Sequence, residues 1–120
     1  MADSSVRYRP IADAHESLLN MNNRVRYLIV DGNLSGTGVR NAVEGGWLTA
    51  PALGISERLV DEISEWQKRY ELAHFRTFTD LNEVDKLDTD GLVLCQKLAE
   101  ELTQAKVQYF SSARMQLIIP

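Results

Sequence analysis

Hydrophobic side chains recur at helical spacing in two stretches of this 120-residue chain. The first stretch follows Ser56 and places four large side chains on one face of a helix: Leu59, Ile63, Trp66 and Tyr70. Ser56 favours a helix start because its hydroxyl can accept a hydrogen bond from a first-turn N–H that has no intrahelical partner. We therefore predict a helix of about five turns after Ser56 and assign the four side chains to the core.

The second stretch repeats leucine every four residues, at Leu94, Leu98 and Leu102. This pattern predicts a second amphipathic helix over roughly residues 90–105, with Asp88 or Thr89 as its N-cap. The three leucines are assigned to the core, facing the side chains of the first helix.

β-Branched and aromatic residues predict two strands, one at residues 24–30 and one at residues 106–111. Residues 115–119 are apolar enough for a further short strand or for a tail that covers a sheet edge. Residues 74–79 alternate imperfectly between apolar and polar side chains, so a strand there is an open alternative.

The order of these elements is β-α-(β)-α-β, with a strand at residues 74–79 as the uncertain member. It predicts an α+β fold, a two-layer α/β sandwich in which two amphipathic helices cover a small sheet of two to four strands. The length suits one domain, which we place at residues 23–120. Residues 1–22 are polar apart from a short amphipathic stretch, and we interpret them as an N-terminal arm.

The composition is that of an ordinary globular protein, with 44% hydrophobic and 25% charged residues. The chain holds no apolar run long enough to span a bilayer, and its N-terminus lacks the basic head and apolar core of a secretory signal. We therefore expect a cytoplasmic protein without a membrane partner. The one cysteine, Cys95, cannot form an internal disulfide, and its place on an apolar helical face predicts a buried side chain.

Two segments resemble ligand loops only superficially. The glycine loop, residues 32–38, lacks the Gly-Lys-Ser/Thr of a phosphate loop, and Asn41 stands where a dinucleotide fingerprint needs its third glycine. A calcium loop around residues 85–91 would put Lys86 and Lys97 at positions that need carboxylates. We therefore predict turns or helix caps at these segments, and no cofactor.

The remaining candidate chemistry is sparse. His15 and His74 are the only imidazoles and lack metal-ligand spacing, so we expect no metal site. The candidate nucleophiles Ser35, Ser56 and Cys95 lack the strand-turn-helix signature of a hydrolase elbow. These features predict a protein that is not an enzyme.

Acidic residues cluster on the connection between the two predicted helices, and the formal net charge is −4. The cluster comprises Asp80, Glu83, Asp85, Asp88 and Asp90, and the outer face of the first helix adds Glu62 and Glu65. Such a surface repels nucleic acid and attracts a basic protein, so we predict these seven side chains as a partner-binding surface. A solvated connection with helix-capping acids is the alternative interpretation.

Several short motifs resemble a family. They are Ser35-Gly36-x-Gly38, Leu53-Gly54-Ile55-Ser56, Ile63-x-x-Trp66-x-x-x-Tyr70, Asp90-Gly91-x-x-Leu94 and Val107-x-Tyr109. Over roughly residues 24–111 the chain resembles small proteobacterial immunity-type proteins of polymorphic or contact-dependent growth-inhibition toxin systems. The resemblance implies a cytoplasmic inhibitor that binds and neutralises a cognate toxin domain, and the acidic surface suggests a basic, nuclease-type one.

Two other functions are open alternatives. The chain could be a non-catalytic regulatory module, or a homodimer that pairs strand edges at residues 106–111. It could also bind a small ligand with the glycine loop and Trp47. The sequence leaves open whether the protein is a monomer or a homodimer.

Overall fold

A computed structural model describes residues 25–119, and the predicted N-terminal arm lies outside this range. Five strands form one sheet: β1 (Arg26–Asp31), β2 (Val39–Asn41), β3 (Gly45–Trp47), β4 (Ala105–Ser111) and β5 (Gln116–Ile118). Three helices lie between β3 and β4: α1 (Ala50–Leu53), α2 (Glu57–Phe75) and α3 (Leu81–Glu101). The predicted α+β class is confirmed, but the sheet has five strands where we expected two to four.

The strand order is β3-β2-β1-β4-β5. The central pair β1 and β4 is parallel, and every other pair is antiparallel. A parallel pair needs a long crossover, which the three helices provide. The register sets Leu28 beside Val107 and Val30 beside Tyr109, so these side chains share the sheet face that carries the hydrophobic core.

Helix α2 begins as the sequence predicts. The Ser56 hydroxyl accepts a hydrogen bond from the Leu59 N–H at 3.2 Å. The helix ends at Phe75, and the next residues turn sharply, with Thr77 and Phe78 at φ of 54° and 55°. Because this segment is a helix end followed by a turn, the alternative of a strand at residues 74–79 is wrong.

Helix α3 begins at Leu81, well before the predicted start near residue 90. Asp80 is its N-cap, with a side chain that accepts from the Asn82 and Glu83 N–H groups, so Asp88 and Thr89 are helical residues and not caps. The buried side chains of Val84 and Leu87 extend the apolar stripe toward the N-terminus. Our prediction followed only the leucine repeat and missed this earlier part.

The core lies between the sheet and the two long helices. Its largest fully buried side chains are Trp66, Tyr70 and Tyr109. The Trp66 Nε1–H donates to the Leu87 carbonyl at 2.9 Å, which fixes α2 against α3. Seven side chains were assigned to the core from the sequence, and six of them are buried: Leu59, Ile63, Trp66, Tyr70, Leu94 and Leu98. The seventh, Leu102, is half-buried.

Within residues 25–119, no helix combines the length and the apolar composition that a membrane crossing requires.

Candidate functional site

The acidic cluster lies on a helix and not on a connection between two helices. Its first member, Asp80, uses its carboxylate to cap α3. The next, Glu83, lies 3.7 Å from the Arg76 guanidinium at the end of α2. The predicted location of the cluster on a connection is therefore wrong, because Asp80 caps α3 and the other four acids lie within that helix.

Asp88 is the most buried acid of the cluster, with 6% of its surface exposed. Its Oδ1 accepts from the Tyr109 hydroxyl at 2.6 Å, and its Oδ2 accepts from the Arg114 Nε–H at 2.9 Å. The Arg114 guanidinium also pairs with Asp85. These contacts raise the pKa of Arg114, chiefly through the hydrogen bond to Asp88, and burial followed by the Asp88 bond raises the pKa of Tyr109. Asp88 is thus a structural anchor between α3 and β4.

Sequence reasoning did not find the partners of Asp88. Tyr109 and Arg114 lie 21 and 26 residues away along the chain. Only the packing of β4 on α3 brings them together, and no local motif signals the contact.

The other predicted acids also have basic neighbours from the same chain. Asp90 lies 2.7 Å from Arg69 and 3.6 Å from Lys86. On α2, Glu62 lies 2.7 Å from Lys97. Glu65 lies 3.9 Å from Lys68, and both side chains are largely exposed.

Six of the seven predicted partner-binding acids are therefore in ion pairs, and the seventh, Asp80, is a helix cap. The positive and negative groups of an ion pair largely cancel each other's electrostatic field at larger distances, and salt screens what remains beyond about 8 Å at physiological ionic strength. The attraction of a cationic partner is therefore weaker than the bare list of acids suggests.

A large concavity lined by described residues, which we call the edge groove, runs between α3 and the outer edge of the sheet at β4 and β5. Its volume is about 760 Å³. Its apolar lining includes Leu92, Val93, Val107, Leu117, Ile118 and Ile119. Three of these are well exposed, Val93 at 42%, Leu117 at 50% and Ile119 at 88%. The apolar character of residues 115–119 is evident from the sequence, but their proximity to α3 is not.

The strand edge beside the edge groove is only partly covered. β5 pairs with Tyr109, Phe110 and Ser111. Within the described chain, the first part of β4, from Ala105 to Gln108, has β1 on one side and no strand on the other. An open edge of this kind exposes backbone hydrogen-bonding groups that can pair with another chain.

Cys95 also contacts the edge groove, but its thiol is a poor nucleophile. Burial raises its pKa to about 12, so the reactive thiolate is scarce at neutral pH. The sequence-based interpretation of Cys95 as a buried side chain agrees with its exposure of 8%.

His74 lies in the last turn of α2. The structure places its ring among aromatic ones, 5.8 Å from Tyr70 and 4.5 Å from Phe78 between centroids. Burial lowers its pKa, which favours the neutral ring. His15, the other imidazole, lies outside the described residues.

The glycine loop owes its composition to close packing. Gly36 lies against the Trp47 indole, and Gly38, at φ 100°, lies against Ile63, so a Cβ at either position would meet those side chains at 2.7 Å. The loop and α2 border a second concavity of about 420 Å³, which we call the glycine-loop pocket. Among residues 25–119, no three His, Cys, Asp or Glu side chains lie close enough together to hold a metal ion.

Comparisons with protein-family models, with curated proteins and with solved structures return no match for this chain. The likeness to immunity proteins therefore rests on the sequence motifs alone, and the geometry described above is the independent basis for a functional proposal.

Proposed function

We propose that this chain is a non-catalytic protein that binds another protein in the edge groove. As in the immunity proteins that it resembles, the partner would be a toxin domain, which the chain neutralises in the cytoplasm. The observation that supports this proposal is the edge of β4 at Ala105–Gln108, which no strand within residues 25–119 covers, directly beside exposed apolar side chains.

An extended segment of the partner would add to the sheet along Ala105–Gln108. Backbone hydrogen bonds along a strand edge supply affinity, and alternate side chains of the added strand enter neighbouring pockets. Here those side chains would meet Val93 and Leu117, which have 42% and 50% of their surface exposed before binding. Burial of such groups contributes roughly 25 cal/mol for each Å² of apolar surface removed from water.

The ion-paired acids have a smaller part in this proposal than the sequence suggested. Asp88 is held by Tyr109 and Arg114 inside the fold and cannot meet a partner without breaking those contacts. Asp85 is 67% exposed at its side chain and remains able to contact a cationic group. Charge would therefore tune the rate of association, while the edge groove would supply most of the affinity.

An immunity gene should directly follow the gene for its toxin, so the decisive experiment is co-expression with the C-terminal domain of the protein encoded by the preceding gene. The unaltered chain should restore growth and co-purify with that domain. Val93→Glu should abolish rescue and weaken binding at least about tenfold, because it puts an unpaired carboxylate into an apolar contact. Val43→Glu is the matched control, since Val43 is 75% exposed and does not line the edge groove.

Rescue by Val93→Glu at full strength would contradict the edge groove as the binding surface. Asp85→Lys distinguishes binding through the edge groove from binding through the acidic surface. We expect this variant to change the affinity little. A large, salt-dependent loss of affinity would favour the acidic surface instead. Failure of the unaltered chain to bind or rescue would contradict the immunity function itself.

A homodimer is the second function that the same edge supports, because two copies of β4 can pair along Ala105–Gln108. Sedimentation of the purified chain distinguishes the two. A dimer that Val93→Glu dissociates, while Val43→Glu leaves it intact, would assign the edge groove to a second copy of this chain.

A further inference from the structure

One residue in the wall of the glycine-loop pocket, Gln67, has a buried hydrogen-bond acceptor without a partner among the described residues. Gln67 lines this pocket, has 6% of its surface exposed, and its Oε1 accepts no hydrogen bond in the described structure. We propose that the pocket is a binding site for a compact apolar molecule that carries a single hydrogen-bond donor. The pocket shares no lining residue with the edge groove, so this site is independent of the function proposed above.

The orientation of the Gln67 amide follows from its neighbours. Its Nε2 donates to the Asn33 carbonyl at 2.8 Å and to the Glu71 carboxylate at 3.2 Å. Both groups accept hydrogen bonds and neither donates, so the amide nitrogen must face them. A flipped amide would place Oε1 against two acceptors, and the unpartnered atom is therefore the oxygen.

The position of this oxygen is set by rigid elements. Gln67 belongs to α2, and a Cβ at Gly38 would lie 3.8 Å from its Oε1. Gly38 itself is packed on Ile63, one turn earlier on α2. The acceptor is thus held at the junction of the glycine loop and α2. Because this oxygen is closed to solvent, a bound donor reaches it through a small shift of the side chains around it.

The walls of the pocket determine the rest of the ligand. They are mainly aliphatic, formed by Leu48, Leu53, Ile55, Val60 and Ile63. The volume of about 420 Å³ lies within the range of roughly 300 to 1,000 Å³ found for small-molecule sites. An apolar body would fill these walls, and an N–H or O–H group would donate to Gln67 Oε1.

A pair of probes isolates this hydrogen bond. Indole and benzofuran have the same bicyclic shape, but indole carries an N–H donor where benzofuran carries an oxygen. Titration of the ¹⁵N-labelled full chain, followed by NMR, should shift the Gln67 side-chain amide and the Gly36 and Thr37 backbone amides. Indole should bind about tenfold more tightly, because a buried acceptor left without a donor is costly.

Gln67→Met keeps the length of the side chain and removes the acceptor, so the two probes should then bind equally. Gln96→Met is the matched control, since Gln96 is exposed on α3 and does not line this pocket. It should preserve the preference for indole. Because Gln67→Met also removes the bond to Asn33, Ser64→Trp provides a second test: Ser64 is exposed and lines the pocket, and tryptophan there should block both probes.

Equal affinity of the unaltered chain for indole and benzofuran would overturn the proposal, since it would mean that the indole N–H makes no hydrogen bond to Gln67 Oε1. Shifts that map to residues outside the glycine-loop pocket would overturn it too, as would a preference for indole that survives Ser64→Trp.

Discussion

The ring of Tyr109 rests directly on Gly91 in the middle of α3, so closely that any Cβ at Gly91 would overlap it. This contact lets the Tyr109 hydroxyl reach Asp88, one turn earlier on the same helix, at 2.6 Å. A glycine inside a helix costs roughly 1 kcal/mol relative to alanine. Glycine is needed at position 91 because β4 approaches α3 closely there, and not because this residue caps a helix.

Gly91→Ala should therefore destabilise the protein, although alanine is the better helix former. Overpacking of a core typically costs about 1–3 kcal/mol, which exceeds the gain in helix propensity. Urea unfolding followed by circular dichroism measures the change. The same substitution in a Tyr109→Leu background should cost less, and an equal cost in both backgrounds would show that the Tyr109 ring is not the cause.

Asp88 and Asp85 share Arg114, but we expect very different effects of their substitution. Asp88→Asn should lower the free energy of unfolding by about 2–3 kcal/mol, because the amide oxygen can accept from only one of the two donors and the amide NH₂ then faces the other. Asp85→Asn should change it by less than about 0.5 kcal/mol, since that pair is exposed to solvent. Comparable losses in the two variants would contradict the anchoring role of Asp88.

Cys95 should resist modification in the folded protein. With its pKa raised to about 12 by burial, almost none of the thiol is ionised at pH 8. Ellman's reagent should therefore react with Cys95 only as the chain unfolds, and at once in concentrated urea. In a Val43→Cys variant, one thiol per molecule should react rapidly and the second should not. Fast reaction of the native chain would mean that Cys95 is accessible.

Glu101 should make stability depend on acid pH through the start of α2. Its carboxylate accepts from the Ser56 N–H at 2.7 Å and from the Ser56 hydroxyl at 2.6 Å, and these bonds lower its pKa from the ordinary value of 4.5. A lowered pKa contributes stability above pH 4.5 that is lost as the pH falls through the folded-state pKa. Glu101→Gln should therefore be less stable than the unaltered chain at pH 7 and should approach it in acid.

Thermal unfolding between pH 2 and pH 7 tests this, with Glu100→Gln as the neighbouring control that should change little. A constant difference between Glu101→Gln and the unaltered chain over that range would contradict the role of the ionised carboxylate.

Helix α2 could be predicted from the sequence because its signals come from residues close together in the chain. Ser56 signals the helix start through a hydrogen bond to a residue three positions away, and the spacing of Leu59, Ile63, Trp66 and Tyr70 fixes which face is buried. The prediction of α3 was less complete. Its acid-rich first turns obscured Val84 and Leu87, so the acids were assigned to a connection when they belong to a helix.

The candidate sites, in contrast, are formed by residues that are far apart in the sequence. Asp88 meets Tyr109 and Arg114 across 21 and 26 residues, and the edge groove joins α3 to a strand near the end of the described chain. The bare sequence shows which side chains are charged or apolar, but not which of them the fold brings within hydrogen-bonding distance.

Taken alone, the sequence determined the α+β class and the buried faces of α2 and of the second half of α3, because hydrophobic periodicity and helix capping act over one or two turns. Only the tertiary structure decided the parallel pairing of β1 with β4, the ion pairing of the acids, and the two concavities. These features depend on contacts between segments far apart in the chain, whose geometry is set by how the helices pack on the sheet.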